Sequence, residues 1–234
     1  MPSNRHPSRR KGGSVSAIIS LVFGVVLVGF SAPHFAAGIA ELPSRPILEK
    51  LRKGAELADR FLEIAASSKQ ASLDWVENGR GWASLGLLHF SEARRIGLAT
   101  VSGRAKLDQS ILADRRAVNL SPGQAYSWTR LVHAELLQTG PNPNIAPLLS
   151  RAIAQAPYDP ALLFGRLELS FLTWRHLDPA LREMVAEQIR FAASIAPKRL
   201  VSLSRDRYAV MAVRDAVADT PKLRRRVDYL LRRN

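Results

Sequence analysis

The residues most able to do chemistry are five histidines, twenty carboxylates and a surplus of arginine. The histidines are His6, His34, His89, His133 and His176. No two stand at metal-ligand spacing, and none opens an H-E-x-x-H helix motif. His89 and His133 fall at helix-contact positions and read as packing residues. The chain has no cysteine, which excludes disulfides, thiolate metal sites and a cysteine nucleophile. It holds no glycine-rich phosphate loop and no G-x-S-x-G; Gly79-Arg80-Gly81 reads as a turn. A carboxylate pair could cleave a glycosidic bond, but the acids are scattered and most sit beside arginines. Glu92 is near Arg94 and Arg95, Glu168 near Arg166, Glu183 near Arg182, and Glu187 near Arg190. These read as helix-surface pairs. We therefore expect no catalytic residue, no metal ligand and no cofactor.

The charge balance points to binding. Net charge is +14, which favours anionic partners. The C-terminal segment concentrates it: Lys222, Arg224, Arg225, Arg226, Arg232 and Arg233 surround an apolar stripe of Leu223, Val227, Leu230 and Leu231. That pattern suits a capping helix with a solvated basic side, or a contact with lipid head groups or an acidic polymer.

The elements that position these residues begin with a membrane segment. No charged residue occurs from Gly12 to Ala40. The apolar centre, Val15–Ala32, would span roughly 27 Å as a helix, close to the hydrocarbon thickness of a bilayer. Arg5, Arg9, Arg10 and Lys11 flank the N-terminal side alone, which places that side in the cytoplasm and the rest of the chain in the periplasm. Cleavage after Gly38-Ile39-Ala40 is the alternative. Ser8-Arg9-Arg10 resembles a twin-arginine signal, but Gly12-Gly13 replaces the apolar residue expected there. Ser16, Ser20 and Gly24 form a small-residue ridge that would permit self-association of the anchor.

Beyond the linker Leu42-Pro43-Ser44-Arg45-Pro46 the apolar spacing is helical and no strand pattern emerges. One helix is expected over 46–67, followed by a break at Asn78-Gly79 and Gly81. Ser121-Pro122, Asp159-Pro160, Asp178-Pro179 and Thr220-Pro221 each pair an N-cap with proline at the first helical position. They predict helices near 122–138, 144–156, 160–174, 179–196, 199–218 and 221–233. The organisation expected is a cytoplasmic basic segment over 1–13, an anchor over 14–39, a linker and first helix over 40–70, a helical domain over 71–218 and a basic helix over 219–234.

A segment recurs within this domain. Arg116-Ala117-Val118-Asn119-Leu120-Ser121-Pro122 matches Arg151-Ala152-Ile153-Ala154-Gln155-Ala156-Pro157, and Phe191-Ala192-Ala193-Ser194-Ile195-Ala196-Pro197 keeps the form without the arginine. Trp82, Leu85, Gly86 and His89 follow the Trp-x2-Leu-Gly-x2-Tyr spacing, with His for Tyr. Trp128, Leu131 and Val132 repeat it, with Val for Gly. Leu163 and Arg166 stand where Trp and Leu belong in the third unit. Over about residues 75–200 the chain resembles the tetratricopeptide family. The first unit is stretched by about twelve residues and the third is degenerate, so an irregular array is expected. The whole layout is similar to anchored repeat proteins encoded beside exopolysaccharide machinery in alphaproteobacteria.

The resemblance implies an all-α chain: one transmembrane helix, then a tetratricopeptide-like array that binds a peptide or protein on its concave side. Trp128 should then pack on Leu149 and Ala152. Arg130 and Glu135 in one unit and Arg166 and Glu168 in the next are the candidate partner-binding residues. The expected role is a non-catalytic scaffold of the bacterial inner membrane, with another envelope protein as partner and service in polysaccharide synthesis or export. The alternative is direct binding of an anionic polysaccharide or lipid surface through the basic helices. A periplasmic domain would meet no nucleic acid.

Overall fold

A computed structural model describes residues 13–233, with side chains described from Ala17 onward. The basic residues Arg5, Arg9, Arg10 and Lys11, the twin-arginine segment and the side chain of Ser16 lie outside the described residues. The described chain is all-α. Its helices are α1 (Gly13–Glu41), α2 (Ser44–Arg52), α3 (Asp59–Trp75), α4 (Gly79–Ile96), α5 (Val101–Leu120), α6 (Ala125–Thr139), α7 (Ile145–Gln155), α8 (Pro160–Leu172), α9 (Pro179–Ile195), α10 (Pro197–Asp206), α11 (Val210–Ala216) and α12 (Pro221–Arg233). A 3-10 turn, Trp174–His176, joins α8 to α9.

Local chemistry sets several boundaries as expected. The Asp159 carboxylate accepts from the Ala161 amide at 2.9 Å, and that of Asp178 from the Leu181 amide at 2.8 Å. Each cap satisfies a backbone donor that proline at the first helical position leaves as the nearest orphan. Asn78 does the same for Gly81 at 2.7 Å and starts α4.

Three boundaries differ. The helix expected over 46–67 is two helices, α2 and α3, because Gly54 takes a φ of +82° and turns the chain. The helix expected over 199–218 is also two, α10 and α11, parted where Tyr208 adopts a φ of +53°. Ser121 does not cap α6: it closes α5, its amide bonding the Ala117 carbonyl at 2.9 Å, and α6 begins at Ala125.

α1 is long and apolar enough to cross a membrane and carries a row of exposed large apolar residues, from Ile18 to Phe35. Pro33 lies inside α1 and does not end it. The other helices stack into an array with three adjoining apolar clusters. The first joins Leu48, Leu62 and Leu73 to Leu85, Leu88 and Ala113. The second joins Phe90 and Ala93 to Leu107, Ile111, Val118 and Leu131. The third runs from Val132 and Leu149 through Leu163, Leu181 and Ile189 to Val213 and Val227.

The recurrent alanines explain the close packing. Ala117, Ala152 and Ala192 are each fully buried, one on the second helix of each of the pairs α4–α5, α6–α7 and α8–α9. In each pair the proline of the recurrent segment follows that helix. On α4, Gly86 is needed for the same reason: a Cβ there would stand 2.8 Å from Asp114 Oδ1, and the Gly86 carbonyl accepts from Ser110 Oγ at 2.9 Å. Trp128 does not share a cluster with Leu149. It packs with Val118, Ile111, Leu131 and Leu148 on the α5 side, and its indole donates to the Pro122 carbonyl at 2.8 Å.

Candidate functional site: a groove along α4, α6 and α8

The first helices of the three pairs lie side by side and expose one stripe each. α4 contributes Leu87, Phe90 and Arg94; α6 contributes Tyr126, Thr129, His133 and Leu137; α8 contributes Leu162, Gly165, Leu169 and Leu172. The intervals of three and four residues put each set on one helical face. Together they form a groove whose larger part is a cavity of about 870 Å³, closed at one end by the segment Gly54–Ala58. Its lining is mostly apolar, with Arg94 and Arg95 at the rim and the acids Glu56 and Glu168 also along it. Arg95 pairs with Asp59 across the α3–α4 boundary. Arg94 is exposed and makes no ion pair among the described residues.

The four candidate residues separate. Glu168 lines the groove, is partly exposed and is held by Arg207. Arg130 reaches the groove floor but is spent internally: its guanidinium grips the Asp114 carboxylate at 2.7 and 2.5 Å and donates to the Ala83 carbonyl at 2.6 Å. Burial pushes the Asp114 carboxyl up, and the guanidinium works against that. Arg166 is fully buried. It donates to the Ala156 carbonyl at 2.7 Å and to Thr129 Oγ1 at 3.3 Å, while Nη2 has no protein partner. Burial lowers the Arg166 guanidinium from its ordinary value, opposed by Asp159 and Tyr126. Glu135 lies off this groove, beside Trp128, Arg115 and Leu148 on the α5–α6 flank. Reversing the charge at Arg130 or Arg166 would strand a charge in the interior. Those two positions therefore hold the array together.

Missed from sequence are Arg94, Tyr126, Thr129 and His133. The signal that could have found them is the repeated spacing of surface residues on α4, α6 and α8. His133 packs on Phe90, ring centroids 5.2 Å apart, as its helix-contact position implied. Burial, and then Arg94, lower its pKa from the ordinary 6.5.

The carboxylates also depart from the expected surface pairs. Glu92 is buried, hydrogen-bonds His89 Nδ1 at 2.8 Å and pairs with Lys106 at 2.9 Å. Burial works to raise its pKa, but His89 and Lys106 prevail and hold it below the ordinary 4.5. Glu183 pairs with Arg190, at 2.6 Å, instead of Arg182; Glu187 meets Arg190 at 2.7 Å as expected. Among the described residues no three His, Asp or Glu side chains gather as a metal site.

On α12 the stripe docks: Val227 is fully buried and Leu223, Leu230 and Leu231 pack beside it. Arg205 holds the helix by donating to the Leu231 carbonyl at 2.7 Å. Lys222, Arg224, Arg225, Arg226, Arg232 and Arg233 are all exposed. The capping and basic-surface readings thus describe two sides of one helix.

Comparison with protein-family models, with curated proteins and with solved structures finds no match to this chain.

Proposed function

We propose that the chain is a single-pass inner-membrane protein whose helical array holds a segment of another envelope protein. The observation that carries this is the groove along α4, α6 and α8, apolar within and with Arg94, which makes no ion pair among the described residues, at the rim. It suits an apolar segment carrying an acidic group: the exposed Tyr126, Leu137 and Leu172 offer area to bury, and Arg94 offers a charge-assisted hydrogen bond. The role is binding, without turnover. The tetratricopeptide resemblance supports it, since that family binds along the first helices. The similarity of layout to exopolysaccharide-linked proteins supports a partner in polymer synthesis or export. In this reading α1 is uncleaved, with its N-terminus cytoplasmic and the array periplasmic. The test is site-specific crosslinking in intact cells from His133 or Leu169. One partner should be captured from both, and Arg94→Glu or Leu172→Glu should abolish capture while the protein stays folded. Capture indifferent to both substitutions would reject the groove.

The exposed basic side of α12 favours a second reading, in which the chain binds an anionic polysaccharide or lipid surface directly. Binding lost on deleting 222–233, and fading steeply with salt, would select it.

A further inference from the structure

α1 is not a detached tether. Its last turns lie along α3: Ala37 is buried, Ser68 Oγ donates to the Ala40 carbonyl at 2.5 Å, and the buried Lys69 places Nζ 2.8 Å from Glu41. The two helices run antiparallel, so the far end of α3 arrives beside the middle of α1. There Trp75 and Val76 meet Val26, Gly29, Phe30 and Pro33, and these six residues line a notch of about 600 Å³ with His34 at its edge. The notch is apolar because α1 is thin at this point. Gly29 has no side chain, nothing lies within 4 Å of its Cβ position, and Pro33 adds no N–H. Trp75 is 59% exposed, and its indole N–H has no partner among the described residues.

The length of α1 says where this notch sits in a bilayer. From Val15 to Ala32, its apolar centre, the helix rises roughly 27 Å, close to the ~30 Å hydrocarbon core. The core would then end near Ala32, beside the notch that Trp75 lines, and the last turns of α1 would belong to the array. Tryptophan favours that boundary, where its ring is in lipid and its N–H is wet. The α3–α4 turn next to Trp75 lies beside the α5–α6 turn, since Gly79 abuts Ser121. Trp174, by contrast, follows the opposite end of α8.

We propose that the notch takes a phospholipid acyl chain and that Trp75 is a second membrane contact, which lays the array on the bilayer with its α3–α4 and α5–α6 turns toward the lipid. This rests on α1 crossing the membrane. The test uses the full chain in vesicles of equal parts phosphatidylethanolamine and phosphatidylglycerol. Three of the four tryptophans are replaced by phenylalanine, leaving Trp75 or Trp174. A phospholipid with a nitroxide high on its acyl chain should quench most of the Trp75 emission and leave Trp174 unchanged. Gly29→Leu, which fills the notch from an open position, should weaken the quenching without unfolding the array. Equal quenching of both tryptophans, or of neither, in protein that alkaline carbonate leaves in the vesicles would overturn the proposal and keep the anchor. Release by carbonate would overturn the membrane-crossing reading beneath it. Quenching that disappears as the protein-to-lipid ratio rises would give the notch to a second chain instead of a lipid.

Discussion

Arg130 and Asp114 show why the outcome of a substitution depends on what surrounds a charge. The pair joins α5 to α6, and through the Ala83 carbonyl to α4, inside the array. Removing one partner leaves the other buried and uncompensated. Arg130→Ala should cost about 3–5 kcal/mol in denaturant unfolding of the detergent-solubilised protein. Replacing both with apolar residues of similar volume should cost less than either single change. The titrating residues give a second expectation. His133 has a lowered pKa, so below its ordinary 6.5 the unfolded chain takes up a proton that the folded site refuses. Glu92 is also lowered, so below its ordinary 4.5 the unfolded chain again binds protons first. Both effects have one sign. Melting temperature should fall as pH drops from 7 toward 5 and His133→Phe should flatten that part; further down, Glu92 works to lower it while Asp114, pushed up by burial, works the other way.

At the scale of elements, the C-terminal end of the array is held by few buried side chains. α12 docks through a single fully buried side chain, Val227, with leucines at its margins. Val227→Asp should release that helix while the preceding helices stay folded, because a helix on the edge of a stack opens locally. Tryptic cleavage at Arg224–Arg226 should accelerate, with far-UV circular dichroism nearly unchanged. Trp128 gives a graded case. It is partly exposed and rests on the α5 flank, so Trp128→Ala should cost about 1–3 kcal/mol, below the 3–5 typical of a fully buried aromatic. A melting temperature equal to that of the parent protein would show that this flank contributes no stability.

For the whole molecule, the asymmetry of charge about α1 sets the expected topology. With Arg5, Arg9, Arg10 and Lys11 on one side, a reporter active only in the periplasm should work when fused after Asn234. Activity of a cytoplasm-only reporter there would reverse the orientation and return nucleic acid to the possible partners of this basic domain. The packing of α1 on α3 joins topology to function. The array cannot rotate freely about α1 while Lys69 and Glu41 stay paired, so the groove keeps one bearing relative to that helix.

The sequence by itself determined the apolar helix, the all-α class and the starts of α8 and α9. Each depends on residues near one another in the chain: an uncharged run, a 3.6-residue period, an Asp accepting from amides two or three positions on. The recurring alanine and proline likewise marked the second helix of each pair, because a small residue at fixed spacing is a local record of close packing. The tertiary structure alone decided which polar side chains were buried. Arg130 and Glu168 both lie on first helices and look alike in sequence. One meets Asp114, brought by another helix, and is buried; the other faces the groove. It also divided the 199–218 segment, where Tyr208 takes a conformation that its own residue type does not favour. Burial and partnership come from neighbours distant in the chain, and periodicity along one helix carries no information about the charge on the next.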